Sequence, residues 1–278
     1  MKWKLVLCLL IMAAAGCTQP PQPIRVATYN LRNSLANDGV NAWPNRKAMV
    51  RDLITKYDFD IVGTQEGLID QISDLEELTA YRRSGVGRDD GGQEGEHSAI
   101  FFKKERFELL DSGDFWLSET PGRPSLGWDA LHCRRICSWV ELKDRRDGKT
   151  LFVFCAHFDH EGPVARRESA RLVLSKIAEI AGTHPAIFMG DLNSQADDEP
   201  VTILSATLQD SHTVTQTPPT GPADTFTGFR WQEPFPGRID YIFVTPGIGV
   251  LDYTVIDDSR NQRYPSDHFP VMASVILP

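Results

Sequence analysis

The sequence predicts a single α/β domain with a mixed or antiparallel sheet. Apolar runs typical of β-strands recur along the chain, and two amphipathic segments typical of helices lie between some of them. No linker-like stretch divides the chain after its N-terminal segment. The length of 278 residues, with 41% hydrophobic residues, is enough for one large packed domain. These observations favour one layered α/β domain.

The N-terminal segment predicts export. Residues 1–16 are predicted to be a lipoprotein signal peptide, because a basic head (MKWK) precedes an apolar stretch that is too short to span a membrane comfortably. The following AGC resembles a bacterial lipobox with Cys17 as the lipid-bearing residue, and residues 17–23 form a Pro-rich tether. We therefore expect an exported lipoprotein, anchored in the membrane of a bacterial cell envelope through Cys17. The alternative is an ordinary secretory signal, because Ala14 stands where lipoboxes usually carry Leu.

From residue 24 onward, strand patterns are interspersed with helix patterns. Most strand-like runs mix alternation with fully apolar patches, as strands of a packed sheet do. Two polar stretches rich in Gly or Pro are predicted binding loops, because long loops in a compact domain commonly bind ligands. The strands are predicted over residues 24–31, 59–66, 97–104, 137–144, 150–158, 186–193, 238–245 and 271–278, the helices over 45–57 and 165–182, and the loops over 85–97 and 213–229.

Polar side chains lie in or at the ends of these strand-like runs, and their chemistry suits a phosphate group or a hard metal ion. Each alone has an ordinary explanation, since Asx residues form turns and a buried His can be a satisfied core residue. Their joint occurrence at strand ends predicts one shared site. The residues are Asn30, Glu66, His157, Asp191, Asn193, Asp240, Asp267 and His268.

Six short blocks carry a more specific signal: TYN, TQE, AHFDH, GDLN, RIDYIF and SDHFPV, in this order. They resemble the signature blocks of the endonuclease/exonuclease/phosphatase superfamily, which includes pancreatic-type deoxyribonuclease, abasic-site endonucleases, neutral sphingomyelinases and inositol polyphosphate 5-phosphatases. The resemblance implies that residues 24–278 form a four-layer α/β sandwich, with two packed mixed β-sheets flanked by helices and an active site where strand ends converge. One departure is Cys155-Ala156-His157, where many members have Asn-Thr-His.

Hydrolysis of a phosphate ester needs a cation for the non-bridging oxygens, a base for the attacking water and donors for the developing charge. Glu66, with Asn30 and Asp267, offers the oxygen ligands that Mg²⁺ or Mn²⁺ prefers. Asp191 beside Asn193 is expected to orient and deprotonate the water.

The two histidines are expected to act as donors. His157 and His268 can donate to phosphate oxygens, and Asp240 is expected to hold His268 in its working tautomer and raise its pKa. The alternative makes the Asp240 and His268 pair the base, leaving Asp191 to position the water.

The acidic composition bears on the substrate. A formal net charge of -9 disfavours extended nucleic acid as a partner, since phosphate contacts from Lys and Arg dominate that kind of binding. We expect a monomeric, divalent-metal-dependent phosphoesterase that acts on a phosphodiester of small-molecule, lipid or glycan type. The alternatives are a secreted nuclease acting on DNA or RNA and an inactive surface binding lipoprotein. The complete set of site residues argues against an inactive protein.

Arginine pairs and tryptophans in loop-like sequence are further candidate substrate contacts. Three cysteines remain in the folded part, so at most one disulfide can form, and no CxxC pair suggests a zinc site. The nearest cysteine pair is Cys133 and Cys137. The other candidates are Arg82, Arg83, Arg134, Arg135, Trp116, Trp128 and Trp231.

If Cys17 is acylated, we expect the protein to partition with membranes after cell lysis, and Cys17→Ser to release it or stall its processing. The several acyl chains of a bacterial lipoprotein cysteine suffice for stable anchoring. Membrane fractionation followed by immunoblotting measures the partition. Wild-type protein in the soluble periplasmic fraction would favour the ordinary secretory signal.

Overall fold

The computed structural model describes residues 22–233 and 236–278. The predicted signal peptide, Cys17 and most of the predicted tether lie outside the described residues. Among the residues that are described, no helix combines the length and the apolar character needed to cross a membrane. The first strand begins at Ile24.

Twelve strands are described. In chain order they are β1 (Ile24–Asn30), β2 (Ile61–Gln65), β3 (Tyr81–Ser84), β4 (Ile100–Lys103), β5 (Phe107–Trp116), β6 (Ile136–Asp144), β7 (Thr150–His157), β8 (Ala186–Asp191), β9 (Gln209–Asp210), β10 (Asp240–Val244), β11 (Gly249–Val255) and β12 (Val271–Ile276). The helices are α1 (Trp43–Tyr57), α2 (Ile69–Glu76), α3 (Pro163–Ile180), α4 (Glu199–Ser205) and α5 (Ser211–Val214), with a 3-10 helix over Gly39–Asn41.

The strands form two six-stranded sheets. The first has the order β11-β12-β1-β2-β4-β3, and the second has the order β5-β6-β7-β8-β10-β9. In the first sheet β1 and β2 are parallel, in the second β7 and β8 are parallel, and the remaining pairs are antiparallel. Both sheets are therefore mixed.

Three hydrophobic clusters hold four layers together. Successive strand residues point to opposite faces, so Val26 packs between the sheets whereas Ala27 packs in the cluster under α1 and α2. In the second sheet, Met189 faces the first sheet and Phe188 packs with Val173 of α3. Two packed mixed sheets with helices outside confirm the predicted four-layer α/β sandwich.

All eight predicted strands and both predicted helices are present, with shifted ends. The strands that sequence patterns missed are β3, β5, β9 and β11, which are the four edge strands of the two sheets. An edge strand is partly solvated and needs no apolar run. In β5, for example, residues 110–112 are exposed. The missed helices are α2, α4 and α5, each of eight residues or fewer.

Gly190 explains how a buried strand ends in Gly-Asp. The two parallel strands of the second sheet approach so closely that a Cβ on Gly190 would lie 1.9 Å from the carbonyl oxygen of Ala156. Only glycine fits without a backbone shift. This pairing sets His157 beside Asp191 in register at the strand ends.

We expect Gly190→Ala to lower the free energy of unfolding by about 1–3 kcal/mol or more, because the backbone must move to relieve the overlap. Urea unfolding measures the change. Gly122→Ala is the matched control, since nothing lies within 4 Å of its Cβ position. Equal stability of the two variants would contradict the close approach.

Candidate active site

Strand ends from both sheets meet at one edge of the sandwich. The first sheet contributes Asn30, the last residue of β1, and Glu66, which directly follows β2. The second contributes the ends of β7 and β8 and the start of β10, where Asp240 pairs opposite Asp191. The loop before β12 supplies Asp267 and His268.

The structure brings all eight sequence-predicted site residues together. Six of them line a cleft of about 400 Å³. The remaining two, Asn30 and Asp240, lie directly behind and are hydrogen-bonded to residues of the lining. The six are Glu66, His157, Asp191, Asn193, Asp267 and His268.

Glu66 is held as an oriented carboxylate. Its backbone is in the left-handed region, at φ 62°, which turns the chain sharply after the strand. One oxygen accepts from Asn30 Nδ2 at 3.0 Å, and the other accepts from the Asn33 N–H at 3.0 Å and amide at 3.2 Å. Although burial opposes the charge, the positive His268 and these hydrogen bonds lower the pKa of Glu66 below its ordinary value.

Asp191 is buried between two histidines. Its Oδ2 lies 3.7 Å from Nε2 of His157 and 3.7 Å from Nε2 of His268, and its Oδ1 accepts the Asn193 N–H at 2.9 Å. Burial and the charge of Asp240 raise the pKa of Asp191 to about 7. The carboxyl group can therefore exchange a proton near neutral pH.

His268 is held by Asp240, as the sequence predicts. Its Nδ1 donates to Asp240 Oδ2 at 2.9 Å. Burial disfavours the imidazolium, but the carboxylates of Asp240 and Asp191 outweigh this and raise the pKa of His268 to about 10. His268 is therefore a cation at neutral pH. Arg238, two residues before Asp240, pairs with Asp210 at 2.5 Å.

His157 is in the opposite state. Burial, followed by the charges of Arg135 and Arg88, lowers the pKa of His157 well below its ordinary value. Asn193 donates its amide to the carbonyl of Phe158 at 3.0 Å and lies 3.0 Å from His157 Nε2, so Nε2 is the acceptor of that contact. Neutral His157 therefore carries its proton on Nδ1.

The predicted cation ligands are divided between two roles. The Asn30 amide oxygen already accepts the Arg32 N–H at 2.9 Å, so in this conformation Asn30 orients Glu66. Burial and the charge of Glu66 raise the pKa of Asp267 to about 6, despite the counteracting His268. A hard cation would relieve the repulsion between these two carboxylates, and it prefers oxygen ligands. Glu66 and Asp267 therefore fit such a cation.

A second group could also hold a cation. Asp191, Asp240 and His268 offer ligand atoms that all lie within 4.8 Å of one another. However, His268 and Asp240 already satisfy each other at 2.9 Å, and His268 is protonated there. A metal on this group would have to displace that proton. The Glu66 side is therefore the better candidate metal site.

Arg46 of α1 ties the segment after Asn30 to the loop that carries Asp267 and His268. Its guanidinium donates to the carbonyls of Leu31 and Arg32, each at 2.5 Å, and to the carbonyl of Pro265 at 3.2 Å. The carbonyls of Leu31 and Arg32 lie directly after β1. The carbonyl of Pro265 lies just before Asp267 in the loop that precedes β12. Arg46 is only 1% exposed, so its loss would leave buried carbonyls unsatisfied.

Cys155 stands where many members of the resembled superfamily have Asn. Its thiol lies between the sheets, 3.2 Å from Gln65 Nε2 of the first sheet. Gln65 Nε2 also donates to the Thr28 hydroxyl at 3.0 Å. An inter-sheet contact therefore fills this position. Cys155 is free, as are Cys133 and Cys137.

Arg135, which the sequence offered as a candidate substrate contact, lines the cleft. Sequence reasoning missed other titratable residues of the lining, among them Arg88, Glu96 and His160. Arg88 and Glu96 lie in the stretch 85–97, which was predicted as a binding loop, but patterns alone could not assign any of the three to the site.

Other sequence candidates have structural partners. Arg83 pairs with Glu76 at 2.8 Å, and Arg134 pairs with Asp89 at 3.2 Å. Trp116 is not in a loop: it ends β5, is buried, and its indole donates to the carbonyl of residue 88 at 2.7 Å. It supports the loop around the cleft and is not an exposed platform.

Comparison with known proteins gives consistent matches. A model of the endonuclease/exonuclease/phosphatase family matches residues 27–268, a range that includes all eight predicted site residues. An endonuclease/exonuclease/phosphatase family protein from Bacteroides thetaiotaomicron is 39% identical, with a TM-score of 0.88 over 94% of this chain and 100% of that one. A mannosyl-6-phosphatase from the same species is 39% identical, with a TM-score of 0.87 over 91% of this chain and 100% of that one. An uncharacterized protein of Acanthamoeba polyphaga mimivirus is 25% identical over 209 residues, which span 62% of this chain and 30% of the viral protein.

We expect Asp240→Asn to lower the pKa of His268 from about 10 toward the ordinary histidine value near 6.5, because the nearest carboxylate is lost. NMR titration of the metal-free, histidine-labelled protein measures this. Asp257→Asn is the matched control, since Asp257 is exposed. An unchanged His268 titration in Asp240→Asn would show that the pair does not set its charge.

Proposed function

The chain belongs to the endonuclease/exonuclease/phosphatase family, and we propose that it is a divalent-metal-dependent hydrolase of phosphate esters carried by a sugar or another small molecule. The convergence of the eight predicted site residues on one cleft supports this function most directly. The set combines an oriented carboxylate for a cation, a buried acid of near-neutral pKa and two histidines in different charge states.

We propose Mg²⁺ or Mn²⁺ as the cation, held by Glu66 and Asp267 with Asn30 orienting Glu66. Bound there, such an ion neutralises phosphate oxygens and makes a water molecule more acidic. Both metals favour the carboxylate oxygens that these residues supply.

Asp191 is the proposed general base. A pKa of about 7 lets it accept a proton from water near neutral pH and release it afterwards. The Asn193 N–H fixes one carboxylate oxygen at 2.9 Å, and the other oxygen, which accepts from Asn30 Nδ2 at 2.9 Å, has a second lone pair for the water. His268 is disfavoured as the base, because a pKa of about 10 keeps it protonated.

The protonated His268 is the proposed electrostatic donor. Asp240 holds Nδ1, so the Nε2–H is directed toward the Asp191 side of the cleft. There it can donate to a phosphate oxygen as negative charge develops. His157 is the second donor, through its Nδ1–H.

The choice of substrate rests on size, charge and similarity. A cleft of about 400 Å³ suits a small ligand. The net charge of -9 disfavours a chain of phosphates. The 39% identity to a mannosyl-6-phosphatase supports a sugar-linked phosphate.

We expect the purified protein with Mn²⁺ or Mg²⁺ to hydrolyse sugar phosphate esters such as mannose 6-phosphate, and plasmid DNA poorly or not at all. Chelation with EDTA should abolish turnover, and added metal should restore it. Glu66→Gln should weaken apparent metal affinity by at least roughly tenfold, since changes even to the partners of metal ligands cost that much. Phosphate release and calorimetric metal titration are the measurements.

Glu105→Gln, an exposed site with the same change of charge, is the control for Glu66→Gln. Undiminished turnover after exhaustive chelation would refute metal dependence. Efficient nicking of supercoiled plasmid at physiological salt, lost in His268→Ala, would identify a nuclease instead.

A further inference from the structure

Three buried polar atoms beside the cleft lack a hydrogen-bond partner among the described residues: Arg88 Nε, Arg135 Nη1 and His157 Nδ1. All three residues line the cleft itself, together with Glu66 and Glu96. Buried donors without acceptors are costly and rare in folded proteins. Three of them on residues that line one cleft point to a ligand that offers several acceptor oxygens.

The Arg135 guanidinium is held by two contacts, and its Nη1 has no partner among the described residues. Its Nε contacts Asp159 Oδ2 at 3.3 Å, and its Nη2 contacts His160 Nδ1 at 2.8 Å. Asp159 is itself fixed, because its other oxygen accepts the N–H groups of Glu161 at 3.0 Å and Gly162 at 2.7 Å. Arg135 is only 5% exposed, and these contacts hold its guanidinium in one orientation before any ligand binds.

Arg88 approaches from a different loop. Its Nη1 pairs with Glu96, and its carbonyl accepts the Trp116 indole N–H at 2.7 Å. The same loop is anchored to the turn after Glu66, because the His97 N–H donates to the Gly67 carbonyl at 2.9 Å. Arg88 is thereby held in the lining of the cleft, and its Nε has no partner among the described residues.

The chemistry of the cleft lining suggests what the ligand is. Arg88, Arg135 and neutral His157 line the same cleft as Glu66. Glu96, which pairs with Arg88, lies 3.8 Å from His157 Nδ1. A guanidinium matches the oxygens of a phosphate group in geometry and charge. A phosphomonoester has three non-bridging oxygens and a charge near -2 at neutral pH, whereas a phosphodiester has two such oxygens and a charge of -1. A diester would place an ester oxygen or its substituent against Arg88, Arg135 or His157, and some donors of these side chains would stay unsatisfied.

We propose that Arg88 and Arg135 form an anion subsite that receives the terminal phosphoryl oxygens of a phosphomonoester beside His157, and so make the enzyme selective for monoesters over diesters. This selectivity rests on the proposed hydrolytic function, and it departs from the phosphodiester expected from the sequence.

The first test compares kcat/KM for para-nitrophenyl phosphate, a monoester, with that for methyl para-nitrophenyl phosphate, a diester, in the presence of Mn²⁺. The wild type should prefer the monoester. Arg135→Gln and Arg88→Gln should each lower kcat/KM for the monoester by roughly ten- to a hundredfold, with a much smaller change for the diester. Arg145→Gln is the control, because Arg145 pairs with Glu108 on the surface.

The second test measures binding of inorganic phosphate by calorimetry, with and without Mn²⁺. Phosphate affinity should fall in both subsite variants and stay unchanged in Arg145→Gln. Circular dichroism melting checks folding, and if Arg135→Gln does not fold, Arg88→Gln decides the question from the other loop.

Equal losses on the monoester and the diester, or unchanged phosphate affinity in a folded subsite variant, would overturn the subsite. If neither ester is turned over while the variants lose phosphate binding, the hydrolytic function fails and the anion subsite stands.

Discussion

The side-chain amide of Asn30 is the contact on which the geometry of the site depends. It donates to Glu66 at 3.0 Å and to Asp191 at 2.9 Å, and these carboxylates belong to different sheets. Two neighbouring carboxylates repel, so a shared donor between them stabilises both orientations. The amide reaches both only because the inter-sheet core holds the ends of β1 and β8 together. Packing in that core therefore sets the distances in the cleft.

The clustered acids differ in pKa because their neighbours differ. Asp191 and Asp267 have raised pKa values because they are buried near other carboxylates, whereas hydrogen bonds and His268 lower the pKa of Glu66. Perturbed groups of this kind concentrate at functional sites, where an acid must gain and lose protons near neutral pH. Elsewhere the domain balances its buried charges directly, as where Arg106 pairs with Asp60 at 2.6 Å and Asp144 at 2.8 Å.

Strand ends and loops contribute differently to the site. The strand ends supply the groups suited to phosphoryl chemistry, and their positions follow from the register of the sheets. The loops around Arg88 and Arg135 supply groups suited to recognition, held by ion pairs and the Trp116 contact. A fold shared by proteins of different activity can therefore keep its chemistry while its loops set the substrate.

The interior strands, both long helices and the eight polar residues that meet at the cleft could be predicted from the sequence alone. Interior strands are buried on both faces and must therefore be apolar. Blocks such as GDLN and SDHFPV mark the polar residues at the ends of strand-like runs. The four edge strands could not be predicted, because their partly solvated residues carry no apolar run and they form through pairing with distant strands. Only the tertiary structure decided which arginines face the cleft: Arg135 turns inward to Asp159 whereas Arg134 pairs with Asp89. Neighbours in sequence differ in this way because a side chain's direction depends on strand pairing and on partners far along the chain, which local composition does not encode.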